Sequence, residues 1–226
     1  HEVFLDDALK LKEHGNQKGQ LHRINRFSEE ETKSLRELME CSHPDWEVLF
    51  HLYHDRKMNP MSFLKSEQFL NILTESCLEK YPYIAFADAF HTMRSMLLPV
   101  LYLLGSEVPL ADTYHAISTG YGGLLACLGG YVYRRPVLLT EHGIYTRERE
   151  EEIIRAKWVQ PAFKKQWISF FYMLSDIIYT RAFLVSALFT NAMHAQIQMG
   201  CDKGKCRVVE NGINYERLSP IPLKKE

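Results

Sequence analysis

Up to about residue 104 the apolar positions recur with helical spacing, whereas beyond residue 112 short continuous apolar runs alternate with helical stretches. The chain opens on His-Glu-Val-Phe-Leu, which reads as a strand, and residues 10–20 are polar and glycine-spaced, a loop. Ser28 with Glu31 is a capping-box pair and predicts a helix to about Cys41. Pro44 suits the first turn of a second helix over residues 46–55, with Trp46, Leu49, Phe50 and Tyr53 on one face. Pro60 reads as a break, residues 66–80 as a third amphipathic helix ended by Tyr81-Pro82, and residues 85–104 as a buried helix kinked at Pro99.

From residue 112 the period changes. Residues 112–118 form a short run ending in small polar residues, and 119–130 are glycine-rich, then apolar. Pro-Val-Leu-Leu-Thr at 136–140 has the continuous apolar character of a buried parallel strand. Thr146 is placed to cap a helix carrying Glu148, Glu150, Glu151 and Glu152 near its positive end, with Arg155 four residues after Glu151. A further aromatic-rich helix over 161–179, a strand over 182–188, a helix over 191–199 and a strand over 207–210, closed by Asn211-Gly212, complete the pattern. Strands alternating with helices predict an α/β fold, a Rossmann-like parallel sheet flanked by helices.

Composition narrows the classes. The 226 residues are 46% hydrophobic, 24% charged and 12% aromatic, which excludes a disordered chain. A net charge of -1 argues against a dominant nucleic-acid or anionic-membrane partner. No apolar run reaches the roughly 20 residues of a membrane span, and no basic segment followed by an apolar stretch marks a signal peptide. His1 stands where a start methionine would, so the expectation is a cut or processed chain. Five scattered cysteines make a poor disulfide framework and read as free thiols of a reducing cytoplasm, and Cys201 with Cys206 would supply only half a zinc site.

In a parallel sheet, ligands bind at the carboxyl ends of strands, near helix N-termini. Ser118-Thr119-Gly120-Tyr121-Gly122-Gly123 offers hydroxyls and amides there for a phosphate or a polyol, and packing glycines explain it equally well, since Leu125 replaces the third glycine of a dinucleotide fingerprint. Thr140-Glu141-His142-Gly143-Ile144-Tyr145-Thr146-Arg147-Glu148-Arg149 follows a buried strand with abruptly titratable residues. His142 can donate a hydrogen bond or exchange a proton, Glu141 can orient it or bind a hydroxyl, and Arg147 and Arg149 can pair with a phosphate. A strand cap and a solvated helix start explain the same residues. Asn211-Gly212-Ile213-Asn214 reads as a turn. His51, His54 and Asp55 have metal-compatible spacing without an evident third ligand. Residues 200–206 are no P-loop, and Ala116 to Gly120 lacks the first glycine of a nucleophile elbow, so a serine hydrolase using Ser118 and His142 has little support.

Three segments in order, ADTYHAISTGYGGLLA, RPVLLTEHGIYTRERE and RVVENGIN followed by Leu218-Ser219-Pro220, resemble the N-terminal domain of PelF-like glycosyltransferases, retaining GT-B enzymes of glycosyltransferase family four. FLKSEQFL and EKYPYIAFADAFHTMRSMLLPVLYLL fit the helical insertion of that family, and Thr180-Arg181-Ala182-Phe183 departs from its usual Ala-Asp pair. The resemblance implies an incomplete acceptor-side domain over 1–212, with a helical insertion at about 28–104, and a linker over 213–226 into a missing nucleotide-sugar domain. It implies transfer of a hexose, glucose from UDP-glucose, to a Pel-type exopolysaccharide, with the donor as substrate and neither cofactor nor metal. His142 would contact the transferred sugar or acceptor. Ser118, Thr119 and Gly120 would line the acceptor side, with Glu141, Gly143, Tyr145, Arg147 and Arg149 around them. The fragment alone is expected to be inactive, and the protein cytoplasmic, with peripheral attachment at the inner face of the membrane. The alternative is an interaction module that docks the enzyme onto a membrane polysaccharide synthase through the insertion and the aromatic helix.

Overall fold

A computed structural model describes residues 27–212. The expected strand at 1–5, the loop at 10–20, Ile213, Asn214 and the linker at 213–226 lie outside the described residues.

The first half is helical. Helix α1 (Glu29–Glu40) starts with the expected reciprocal cap: Ser28 Oγ accepts from the Glu31 amide at 3.1 Å, and Glu31 Oε2 accepts from the Ser28 amide at 2.8 Å. Helix α2 (Trp46–Phe50) is capped by Asp45, so Pro44 precedes the helix instead of lying in its first turn. The chain then loosens into a π-helical turn over His51–Asp55. Pro60 does not simply break the chain but opens α3 (Pro60–Leu64), capped by Asn59, since a first-turn proline forfeits no helical bond. Helices α4 (Glu67–Lys80), capped by Ser66, and α5 (Phe86–Leu104), which contains Pro99, follow as expected. Leu35, Leu38, Leu49, Phe50, Phe63, Phe69, Leu73 and Leu101 are fully buried in this layer.

The second half alternates: β1 (Tyr114–Ala116), α6 (Gly120–Tyr133), β2 (Val137–Glu141), α7 (Tyr145–Arg155), α8 (Lys164–Arg181), β3 (Leu184–Ala187), α9 (Thr190–Gln198) and β4 (Cys206–Val208). The four strands form one parallel sheet in the order β1-β2-β3-β4. Thr146 is not a cap; it lies inside α7, where its hydroxyl contacts Met199 Sδ at 2.9 Å.

The two sheet faces differ. Ala116, Leu139, Val185 and Cys206 line up across the strands on the buried face, against which α6, α8 and α9 pack. On the other face His115 Nε2 lies 2.8 Å from Thr140 Oγ1, which lies 2.7 Å from Ser186 Oγ, so an imidazole and two hydroxyls form a polar row across three strands. The helical layer sits outside α6 and α8: Phe50 packs on Tyr131 with ring centroids 5.1 Å apart, and Gln166 Nε2 donates to the Met39 carbonyl at 2.7 Å. The result is an α/β, Rossmann-like arrangement with an added helical layer.

Candidate functional site

All four strands point the same way, so their carboxyl ends share one edge of the sheet. Ala116 pairs with Leu139, and β2 runs on to Glu141 before the chain turns into α7. The loops after β1 and β2, the first two segments singled out in the sequence, therefore rise side by side.

They touch at one point. Gly120 has φ +71°, a conformation that favours glycine, and a β-carbon there would lie 2.7 Å from the Tyr145 ring. The half-buried Tyr145 ring packs edge-on to Phe171, with centroids 6.0 Å apart.

One face of α8 supports both loops. Phe171, Ser175 and Tyr179 recur every four residues and meet, in turn, Tyr145, Thr119 and Glu141. The buried Ser175 and Thr119 hydroxyls lie 2.7 Å apart. Tyr179 Oη donates to Glu141 Oε2 at 2.7 Å, and Gln196 Nε2 donates to the same oxygen at 2.9 Å. Glu141 is 1% exposed, and its Oε1 and Gln196 Oε1 have no hydrogen-bond partner. Burial pushes the Glu141 carboxyl above its ordinary range, and the bonds from Tyr179 and Gln196 offset this only in part.

These placements sort the candidate residues. His142 immediately follows β2 and is exposed. The half-buried Ser118 hydroxyl sits over Gly122, 3.8 Å from where a β-carbon would be. His142, Ser118 and the exposed Arg147 are the candidates with side chains left to meet a ligand. Thr119 and Gly120 are buried beneath the loop and shape it. Glu141 turns its carboxyl group toward the helices, where it accepts from the Tyr179 hydroxyl and the Gln196 amide and anchors the strand end. Gly143 lies under the Glu148 carboxylate, which leaves no room there for a β-carbon. Arg149 pairs with Glu152 at 2.5 Å and stacks over Tyr145 at 5.5 Å, so it braces α7. Helices α6 and α7 both begin at this edge without a hydrogen bond from the side chain of the capping residue.

The third segment stays apart. Asn211 and Gly212 are exposed beyond β4, which pairs with β3 and not with β2. The other candidates have structural partners. His51 Nδ1 is 3.1 Å from Asp55 Oδ2, Tyr131 donates to that oxygen at 2.6 Å, and His54 Nδ1 is 3.2 Å from the Ser106 carbonyl. Cys201 and Cys206 are buried free thiols 3.4 Å apart, and burial pushes Cys201 up to about 12. Among the described residues no three His, Cys, Asp or Glu side chains cluster to hold a metal, and no helix is long and apolar enough to cross a membrane.

Tyr179, Ser175 and Gln196 were not singled out in the sequence. The four-residue spacing of Ser175 and Tyr179 within an apolar helix was the available signal for the first two.

No curated protein and no solved structure matches the chain. A family model, described as a domain of unknown function (DUF3492), matches residues 1–204. With nine-tenths of its length covered by that match, the chain belongs to the DUF3492 family.

Proposed function

We propose that the chain is the acceptor-side half of a retaining GT-B hexosyltransferase, which moves glucose from UDP-glucose to a growing Pel-type exopolysaccharide of a biofilm matrix. The observation that carries this reading is the exposed His142 imidazole at the carboxyl end of β2, beside the Ser118 loop. In a two-domain transferase the sugar lies in the cleft between the halves, and this edge is one wall of it.

In the reaction, the bond from the sugar's anomeric carbon to the phosphate oxygen breaks, and an acceptor hydroxyl forms the new bond on the same face, its proton passing to the departing phosphate oxygen. Positive charge develops on the sugar as the UDP leaves. His142 hydrogen-bonds the sugar and stabilises the changing charge. Ser118 and Arg147 orient the acceptor. Thr119, Gly120 and Tyr145 hold the loop shape, and Glu141 anchors the strand beneath His142. A single half does not complete such a site, so turnover belongs to the intact, cytoplasmic enzyme, peripheral at the membrane.

The test is transfer from radiolabelled UDP-glucose by the intact protein and by its His142→Ala variant. Polymer labelling by the wild type and its loss in the folded variant are expected. No turnover of any UDP-hexose by the intact protein, or full activity of the variant, would overturn the reading.

A second role, docking onto membrane-bound synthase subunits, has its own observation. Leu78, Tyr83 and Phe86 are 73%, 97% and 45% exposed at the junction of α4 and α5. Replacing all three with serine should abolish co-purification of the synthase; unchanged recovery would dispose of this role.

A further inference from the structure

Away from the strand ends, a groove of about 260 Å³ runs between α5 and the segment joining α7 to α8. One wall is polar: Asp88, His91, Thr92 and Ser95 fall at helical spacing on a single face of α5. The other wall carries Trp158, Gln160 and Trp167. Trp158 is 69% exposed, an unusual position for the largest apolar side chain. It meets Trp167 edge-on, with centroids 5.8 Å apart and planes at 79°.

The polar wall is unspent. None of Asp88, His91, Thr92, Ser95 or Gln160 makes a side-chain hydrogen bond or ion pair with another described residue. The groove is lined by one carboxylate and by no lysine or arginine, which disfavours an anion. An exposed tryptophan ring beside several donors and acceptors suits a ligand that is apolar on its faces and hydroxylated around its rim. A pyranose ring has that distribution, and the groove is small enough to hold one or two such rings.

An aromatic path connects the groove to the candidate site. Trp167 stacks on Phe171 at 5.9 Å, and Phe171 packs against Tyr145 at 6.0 Å, beside Gly120. The groove and the His142 loop are thus linked through packed rings, of which the middle one, Phe171, is buried.

We propose that this groove is a saccharide-binding subsite, in which a sugar ring stacks on Trp158 while its hydroxyls bond to Asp88, His91 and Gln160. The recognition chemistry stands by itself. Its role, holding a segment of the acceptor glycan away from the bond being made, rests on the transferase reading.

The test is a fluorescence titration without any donor. The chain has three tryptophans, and Trp46→Phe leaves only those of the groove to report. Maltotriose, cellotriose and chitotriose are the probes, with tetramethylammonium as a control for an aromatic cage that takes cations. At least one trisaccharide should give a saturable change, about tenfold weaker in Trp158→Ala and in Gln160→Ala. Thermal melts establish that the variants are folded, and Gln160, on an exposed turn, serves should the tryptophan variant not fold. No saturable change with any trisaccharide, a change undiminished in folded variants, or saturation by tetramethylammonium alone would overturn the proposal. Binding without hexosyl transfer would uphold the subsite while removing the transferase reading; transfer without binding would do the reverse.

Discussion

The ring of Tyr145 lies where a β-carbon on Gly120 would have to go, 2.7 Å from that position. Two loops far apart in the chain are thereby keyed to each other. Gly120→Ala meets both the unfavourable φ of +71° and the ring, and should cost about 2–4 kcal/mol in urea denaturation. Removing the ring with Tyr145→Ala relieves only the second problem, so the double variant should lose less than the sum of the singles. Additive losses would show that the ring and the glycine are independent.

The hydroxyl pair of Thr119 and Ser175 predicts a similar non-additivity with a different cause. Both residues are 1% exposed. Ser175→Ala leaves the Thr119 hydroxyl without its partner and should cost about 1–3 kcal/mol. Thr119→Val together with Ser175→Ala removes both polar groups and should recover part of that loss, measured as the denaturation midpoint.

Glu141 gives a pH dependence. Its carboxyl is raised by burial, so the folded chain holds a proton that the unfolded chain has already released. Its contribution to stability is present below the ordinary carboxylate value and lost as pH rises through the raised one. Glu141→Gln never ionises, still accepts from Tyr179, and brings an amide donor near the unpartnered Gln196 Oε1. The variant should melt at about the wild-type temperature near pH ~4 and several degrees higher at pH ~8. A difference that does not change with pH would show that the carboxyl does not titrate between those limits.

His142 should separate function from stability. The residue is exposed and makes no side-chain hydrogen bond to another described residue. His142→Ala should leave the melting temperature unchanged, while in the intact enzyme kcat should fall about 100-fold or more. An equal fall in activity and in melting temperature would assign the imidazole a structural role.

The architecture was legible where local chemistry decides it. Ser28 and Glu31 announced α1, and the apolar run at 136–140 announced β2. The misread positions involve choices that the local sequence leaves open. Pro60 is compatible with both a break and a helix start, and Asn59 decides between them by capping. Thr146 looked like a cap because no better residue stands nearby, but Ile144 holds that place without a side-chain bond and the threonine turns to Met199. At the candidate site the strand-end position of His142 was readable, because a polar run directly follows an apolar one. The fate of Glu141 was not, because its partners Tyr179 and Gln196 lie on later helices, and nothing local says which face of the sheet the carboxylate takes.

The side-by-side order of β1 to β4 also bears on how the molecule is made. A ribosome releases each ribbon after the one it must lie against, so every new ribbon finds its neighbour already present. Among the described strands, growth of the sheet can proceed in one direction. The last piece of the His142 shelf to arrive is then Gln196 of α9, and the buried acid at the end of β2 acquires its second clamp only when that helix closes over it.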